Sequence, residues 1–91
     1  VTRFPENGRL RFGYANALWQ DQQRGAALTA YRATVERAPE MAPAWNNLAY
    51  ALRDDGDAEG ARAAVCRAHR LAPEDDNVAD SVVEITQGDG C

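Results

Sequence analysis

The chain has 91 residues, 45% of them hydrophobic and 26% charged, and its 14 acids outweigh 10 basic side chains to give a formal net charge of −4. This length holds one small domain with a thin core, and this composition argues against a disordered segment. The acidic balance makes nucleic acid and anionic membrane poor partners, and no apolar run approaches the roughly 18 residues of a membrane span.

Alanine is abundant and β-branched residues are few, which favours helix throughout. The charge is unevenly spread: residues 1–37 carry six arginines against three acids, and residues 38–91 carry four against eleven. Lysine is absent, a usage that reads as the composition bias of a GC-rich bacterial genome rather than as chemistry. No signal-peptide pattern opens the chain, and Val1 in place of Met reads as the start of an excised or processed piece. Nothing in the residues fixes a compartment; a cytoplasmic one is favoured.

An internal period organises the rest. Pro5-Glu6, Pro39-Glu40 and Pro73-Glu74 recur at an interval of 34 residues. The same shift lays Tyr14 on Leu48, Ala15 on Ala49, Leu18 on Leu52, Ala27 on Ala61 and Tyr31 on Val65. Carried forward, it pairs Trp45 with Ala79, Leu48 with Val82 and Ala49 with Val83. Three prolines in register set the pattern apart from chance.

In chain order, residues 1–7 read as the end of a preceding helix, with Arg3-Phe4 standing where Arg37-Ala38 and Leu71-Ala72 stand later. The Phe4 stub implies that more of the array, or another domain, lies upstream in a parent protein. Residues 8–41 form a first full repeat. Within it Arg11 stands where Trp45 does, and Phe12 and Trp19 are aromatics where the second repeat has Asn46 and Arg53. Gln22-Gln23 replaces Gly56-Asp57, so Gly25, slightly later, is expected to serve the turn.

Residues 42–75 form the second full repeat. Trp45, Leu48, Ala49 and Leu52, spaced i, i+3, i+4, i+7, predict one amphipathic helix. Asp54-Asp55-Gly56-Asp57 breaks it, Gly56 suiting a left-handed position and Asp57 a cap for the next helix. Ala61, Ala64, Val65, Ala68 and Leu71 share one face of that helix, which stops before Pro73. Residues 76–87 read as a single helix whose Ala79, Val82 and Val83 cover the second repeat while Asp80 and Glu84 meet water. Residues 88–91 read as a flexible tail.

The spacing of Trp45, Leu48, Ala49, Gly56-Asp57, Ala61, Val65, Ala68 and Pro73, on a period of 34, resembles the tetratricopeptide repeat. The resemblance implies an all-α fold of antiparallel helix-turn-helix repeats stacked as a right-handed α-solenoid, with residues 76–87 as the capping helix that ends many such arrays. It also implies a concave face lined by the first helix of each repeat. Carried over residue by residue, that lining is Arg9, Phe12, Asn16 and Trp19, then Asn46, Tyr50 and Arg53, then Asn77, Asp80 and Glu84. Asparagine amides offer an extended peptide both donor and acceptor, aromatics supply apolar pockets, and Arg pairs with a carboxylate. The alternative for Trp19 and Tyr50 is packing against neighbouring helices. Members of the family that grip a chaperone's C-terminal carboxylate use asparagines and cations on this face. Asn16 matches the first asparagine, but Tyr50 stands at the second, and Phe12, Asp80 and Glu84 stand where cations are needed. Such a face would repel a carboxylate.

Catalytic and metal readings find little support. His69 is the only histidine, so with Cys66 and Cys91 it cannot complete a four-ligand zinc site, and the cysteines lack CxxC spacing. Cys66 is expected as an inert or partly exposed thiol; a Cys66–Cys91 disulfide through the tail is an option that nothing in the sequence favours. Asp54, Asp55 and Asp57 lack the ligand spacing and closing Glu of a calcium loop, and no phosphate-cradling glycine pattern or nucleophile elbow is present. No enzyme, cofactor or metal is therefore expected. Two function classes remain. The first is a non-catalytic interaction or scaffold module that binds a peptide or partner helix in the concave groove. The second is a structural spacer or self-association segment of a larger protein, which could be an enzyme. The basic start, acidic end and open repeat ends also suit a homo-oligomer stacked head to tail.

Overall fold

The computed structural model describes residues 6–91. Residues 1–5, with the Arg3-Phe4 stub, lie outside the described residues. Five helices follow in order: α1 (Glu6–Gln20), α2 (Arg24–Arg37), α3 (Ala42–Asp54), α4 (Ala58–Leu71) and α5 (Asp76–Thr86), with no strand among the described residues. Glu6 and Asn7, expected to end a preceding helix, instead open α1.

The recurring Pro-Glu pairs mark the turns between hairpins. Met41 N–H donates to Ala38 O at 3.0 Å, and one period later Asp75 N–H donates to Ala72 O at 3.1 Å. Each is a β-turn with proline at its second position, where the fixed φ of the ring costs nothing. Proline also prevents the preceding helix from continuing, so α2 and α4 both end at the same register position. Asp75 then caps α5 by accepting from the N–H groups of Asn77 and Val78.

The turns inside the hairpins share a backbone and differ in chemistry. Gly56 has φ +89°, and its counterpart Gln22 has φ +67°. Gly25 lies within α2, so the turn expected to use it uses Gln22 in the left-handed region instead. Three-residue connections demand that conformation, and glutamine adopts it at a cost of about 1 kcal/mol. Asp57 caps α4 by accepting from Gly60 N–H at 2.8 Å, whereas Gln23 makes no such bond to α2.

Small residues set the spacing within each hairpin. Ala15 and Ala27 in the first, and Ala49 and Ala61 in the second, are fully buried, one period apart. Tyr31, Val35, Leu48, Leu52, Val65 and Val82 fill the spaces between hairpins. The packing order is α1 on α2, α2 on α3, α3 on α4, and α5 across both α3 and α4. This is the layout of a helical-repeat solenoid.

Four expectations are corrected by the structure. Val83 is exposed, and α5 buries Val78 and Val82 with Ile85 partly covered. Shifting Ala49 by one period reaches Val83, but Ala49 faces α4, its own second helix, and α5 has no such neighbour among the described residues. Leu71, expected on the buried face, is exposed at the end of α4. The tail is folded back rather than free. Gln87 and Gly88 take left-handed conformations that end α5 and reverse the chain. Arg62 then donates to Gly90 O at 2.8 Å, Gly90 N–H donates to Thr86 Oγ1 at 2.9 Å, and Cys91 forms a disulfide with Cys66. Cys66 is therefore not a free thiol, inert or partly exposed, as expected, but half of a disulfide.

Candidate binding groove

One register row links alternate helices of the stack. Asn16, Tyr50 and Glu84 are 34 residues apart and lie on α1, α3 and α5. Asn16 Oδ1 accepts from the Tyr31 phenol and from Asn47 Nδ2, the latter at 2.9 Å. One oxygen thus ties α1 to both α2 and α3. The Tyr50 phenol lies 3.1 Å from Ser81 Oγ and 3.0 Å from Glu84 Oε1, and its single proton joins α3 to α5. Ser81 Oγ in turn donates to Asn77 O at 3.0 Å.

Between these links, in the seam of α1 and α3, is a groove of about 350 Å³ lined by Asn16, Trp19, Gln20, Tyr31, Asn47 and Tyr50. Arg24 lies over the Trp19 ring, 4.2 Å from its centroid, and pairs with Asp54 at 3.0 Å. Arg53 lies over Tyr50 at 5.0 Å and approaches Glu84 at 3.5 Å. Each aromatic wall is therefore backed by an exposed arginine already engaged with an acid. Exposed pairs of this kind steer more than they stabilise. Burial raises both phenols above their ordinary value of 10.0. For Tyr31 the nearby Asn47 amide works against burial; for Tyr50 Ser81 and Arg53 oppose it and the Glu84 carboxylate adds to it. Both phenols stay protonated, and act as donors, throughout the neutral range.

Of the residues the resemblance placed on this face, Asn16, Trp19 and Tyr50 come together in the groove. Arg53 and Glu84 flank it through Tyr50. Phe12 packs against Tyr31, with ring centroids 6.4 Å apart. Asn46 is half-buried with Oδ1 enclosed and unpaired, and its neighbour Asn47 takes the place expected for it. Arg9, Asn77 and Asp80 are exposed and stand outside the lining. The seam explains the shift: a residue that closes it must look back from α3 toward α1, which the position of Asn47 does and that of Asn46 does not. Gln20, Tyr31 and Asn47 were not read from sequence as lining residues. Tyr31 carried a signal, since a tyrosine at a core position needs a partner for its hydroxyl.

Other polar residues have local duties. Asp57 caps α4, Asp54 pairs with Arg24, and no cluster of His, Cys, Asp or Glu able to hold a metal occurs among the described residues. No helix is long and apolar enough to cross a membrane, again among the described residues.

A family model described as tetratricopeptide repeat matches residues 12–76. No curated protein matches the chain. Repeats of this family generally mediate protein–protein interaction or scaffolding, and are typically non-catalytic. The matched segment starts inside α1 and runs to the first residue of α5, so it takes in both hairpins and spans most of the molecule. The chain belongs to the tetratricopeptide repeat family.

Proposed function

We infer that the chain is an interaction module that takes an extended peptide, or one face of a partner helix, into the seam between α1 and α3. The observation that carries this reading is the amide pair at the groove floor. Asn16 spends its carbonyl oxygen on Tyr31 and Asn47, and Asn47 spends its amide nitrogen on Asn16. Asn16 Nδ2 and Asn47 Oδ1 are left without a partner among the described residues. One donor beside one acceptor is what a peptide unit needs on its exposed edge. Trp19 and Tyr50 stand on either side as apolar walls, and the volume suits one or two side chains.

The test is capture of partners on the immobilised chain, comparing the wild type with Trp19→Ala and with Asn47→Ala. Trp19 and Asn47 are only half-buried, so both variants should fold, which circular dichroism checks. A partner held by the wild type and lost by both variants supports the groove. Equal retention by all three proteins refutes it and moves the function to another surface.

A further inference from the structure

Resting on the groove reading above, we propose that the peptide segment held between α1 and α3 is an uncharged one, with apolar or amide side chains and no Asp, Glu, Lys or Arg where it crosses the seam. Of the chain's residues 26% are charged, yet the six that line this groove are three amides, two phenols and an indole. Other openings in the molecule differ. Arg11 lines the one between α1 and α2, and Glu59, Arg62 and Asp89 line the one beside the tail. Burial raises the Tyr31 and Tyr50 phenols, so neither adds a charge to the lining in the neutral range.

The charges beside the groove are already matched. Arg24, over the Trp19 ring, pairs with Asp54 at 3.0 Å, and Arg53, over the Tyr50 ring, approaches Glu84 at 3.5 Å. A ligand carboxylate would therefore meet Asp54 and Glu84 beside those arginines and find no free cation. A ligand ammonium or guanidinium would meet rings whose pull on a cation is already taken by Arg24 and Arg53. Either charge would give up water for a site without a counter-ion, a cost that an apolar or amide side chain does not meet. The polar demands that remain are those of a neutral backbone, since Asn16 Nδ2 offers a donor and Asn47 Oδ1 an acceptor. The groove thus selects by excluding both signs of charge. Its affinity is accordingly indifferent to salt, because no ion pair forms for salt to screen. Gln20 is the exposed member of the lining, the place where a charge can be introduced without disturbing the fold.

The probe is a phage-displayed library of short random peptides selected on the immobilised chain, keeping those that Trp19→Ala and Asn47→Ala both lose. Circular dichroism confirms that each variant is folded. The retained peptides should share a run of uncharged residues. Synthetic copies, measured by isothermal titration, should change in affinity by less than about threefold between low and high salt. Gln20→Glu puts a carboxylate into the lining, so selection on that variant should recover peptides with Lys or Arg within the run. Their affinity for the variant should fall about tenfold at high salt. An acid or base at a shared position of the wild-type peptides, or a larger loss of wild-type affinity with salt, overturns the proposal and leaves the groove in place. So does recovery of the same uncharged peptides by Gln20→Glu, since the charge of the lining then does not choose the ligand. A selection in which no peptide depends on Trp19 and Asn47 overturns the groove reading, and this proposal with it.

Discussion

Breaking the bond between Cys66 and Cys91 should be among the most costly single changes available in this chain. The two residues are separated by 25 positions, and the loop they close contains all of α5. Cross-linking a loop of that length removes loop-closure entropy from the unfolded chain worth about 3.5 kcal/mol at 25 °C. The other links of the tail, Arg62 to Gly90 and Asp89, are exposed and add little. Against a total stability of about 5–15 kcal/mol for a domain, such a loss lowers the melting temperature by on the order of 15–25 °C. Cys91 is exposed and Cys66 is buried, so Cys91→Ser removes the bond without opening a cavity, whereas Cys66→Ala would do both. The assay is urea unfolding of the oxidised wild type, the reduced wild type and Cys91→Ser, followed by circular dichroism. Reduced protein and variant should coincide, with a lower midpoint and a steeper slope, because the open chain exposes more surface on unfolding. A difference below about 1 kcal/mol between oxidised and reduced protein would refute the entropic reasoning.

Two other predictions follow from the geometry of the hairpin turns and of Tyr31. Gly56→Ala places a side chain in a left-handed conformation and should cost about 1 kcal/mol, while Gln22→Gly relieves the same strain and should raise the urea midpoint by a smaller amount. Burial raises the Tyr31 phenol, so the stability it contributes is complete below the unfolded value of 10.0 and is lost as pH rises through the higher folded value. Unfolding free energy measured against pH should therefore fall above pH 10.0, and Tyr31→Phe should lessen that fall while costing about 1 kcal/mol at neutral pH through the lost bond to Asn16.

The architecture was legible because its signals repeat. A proline that ends a helix and opens a turn leaves the same mark at 39 and 73, and Asp57 announces the cap it forms. What escaped was whatever depends on one element meeting another. Gln22 takes a left-handed conformation because the hairpin requires it, and no residue type at that position advertises the fact. The phase of α5 differs from that of α3 at Val83, since the shift preserves a position's direction and cannot show that no described helix lies opposite. Asn47 carried no periodic signal as a lining residue, because its counterpart in the first repeat is Gly13. The disulfide depends on the reversal at Gln87 and Gly88, which brings two distant cysteines together.

The row of Asn16, Tyr50 and Glu84 has a mechanical consequence. Its polar links run from α1 to α3 and from α3 to α5. Between the hairpins, α2 packs on α3 and α4 on α5. A hydrogen bond is lost over a shorter separation than the contacts of packed side chains, so these links are the first to respond when neighbouring hairpins move apart. Separating α1 from α3, or α3 from α5, therefore has to break the Asn16–Asn47 or the Tyr50–Glu84 bond, and the first of these lies at the seam where Trp19 and Tyr50 stand.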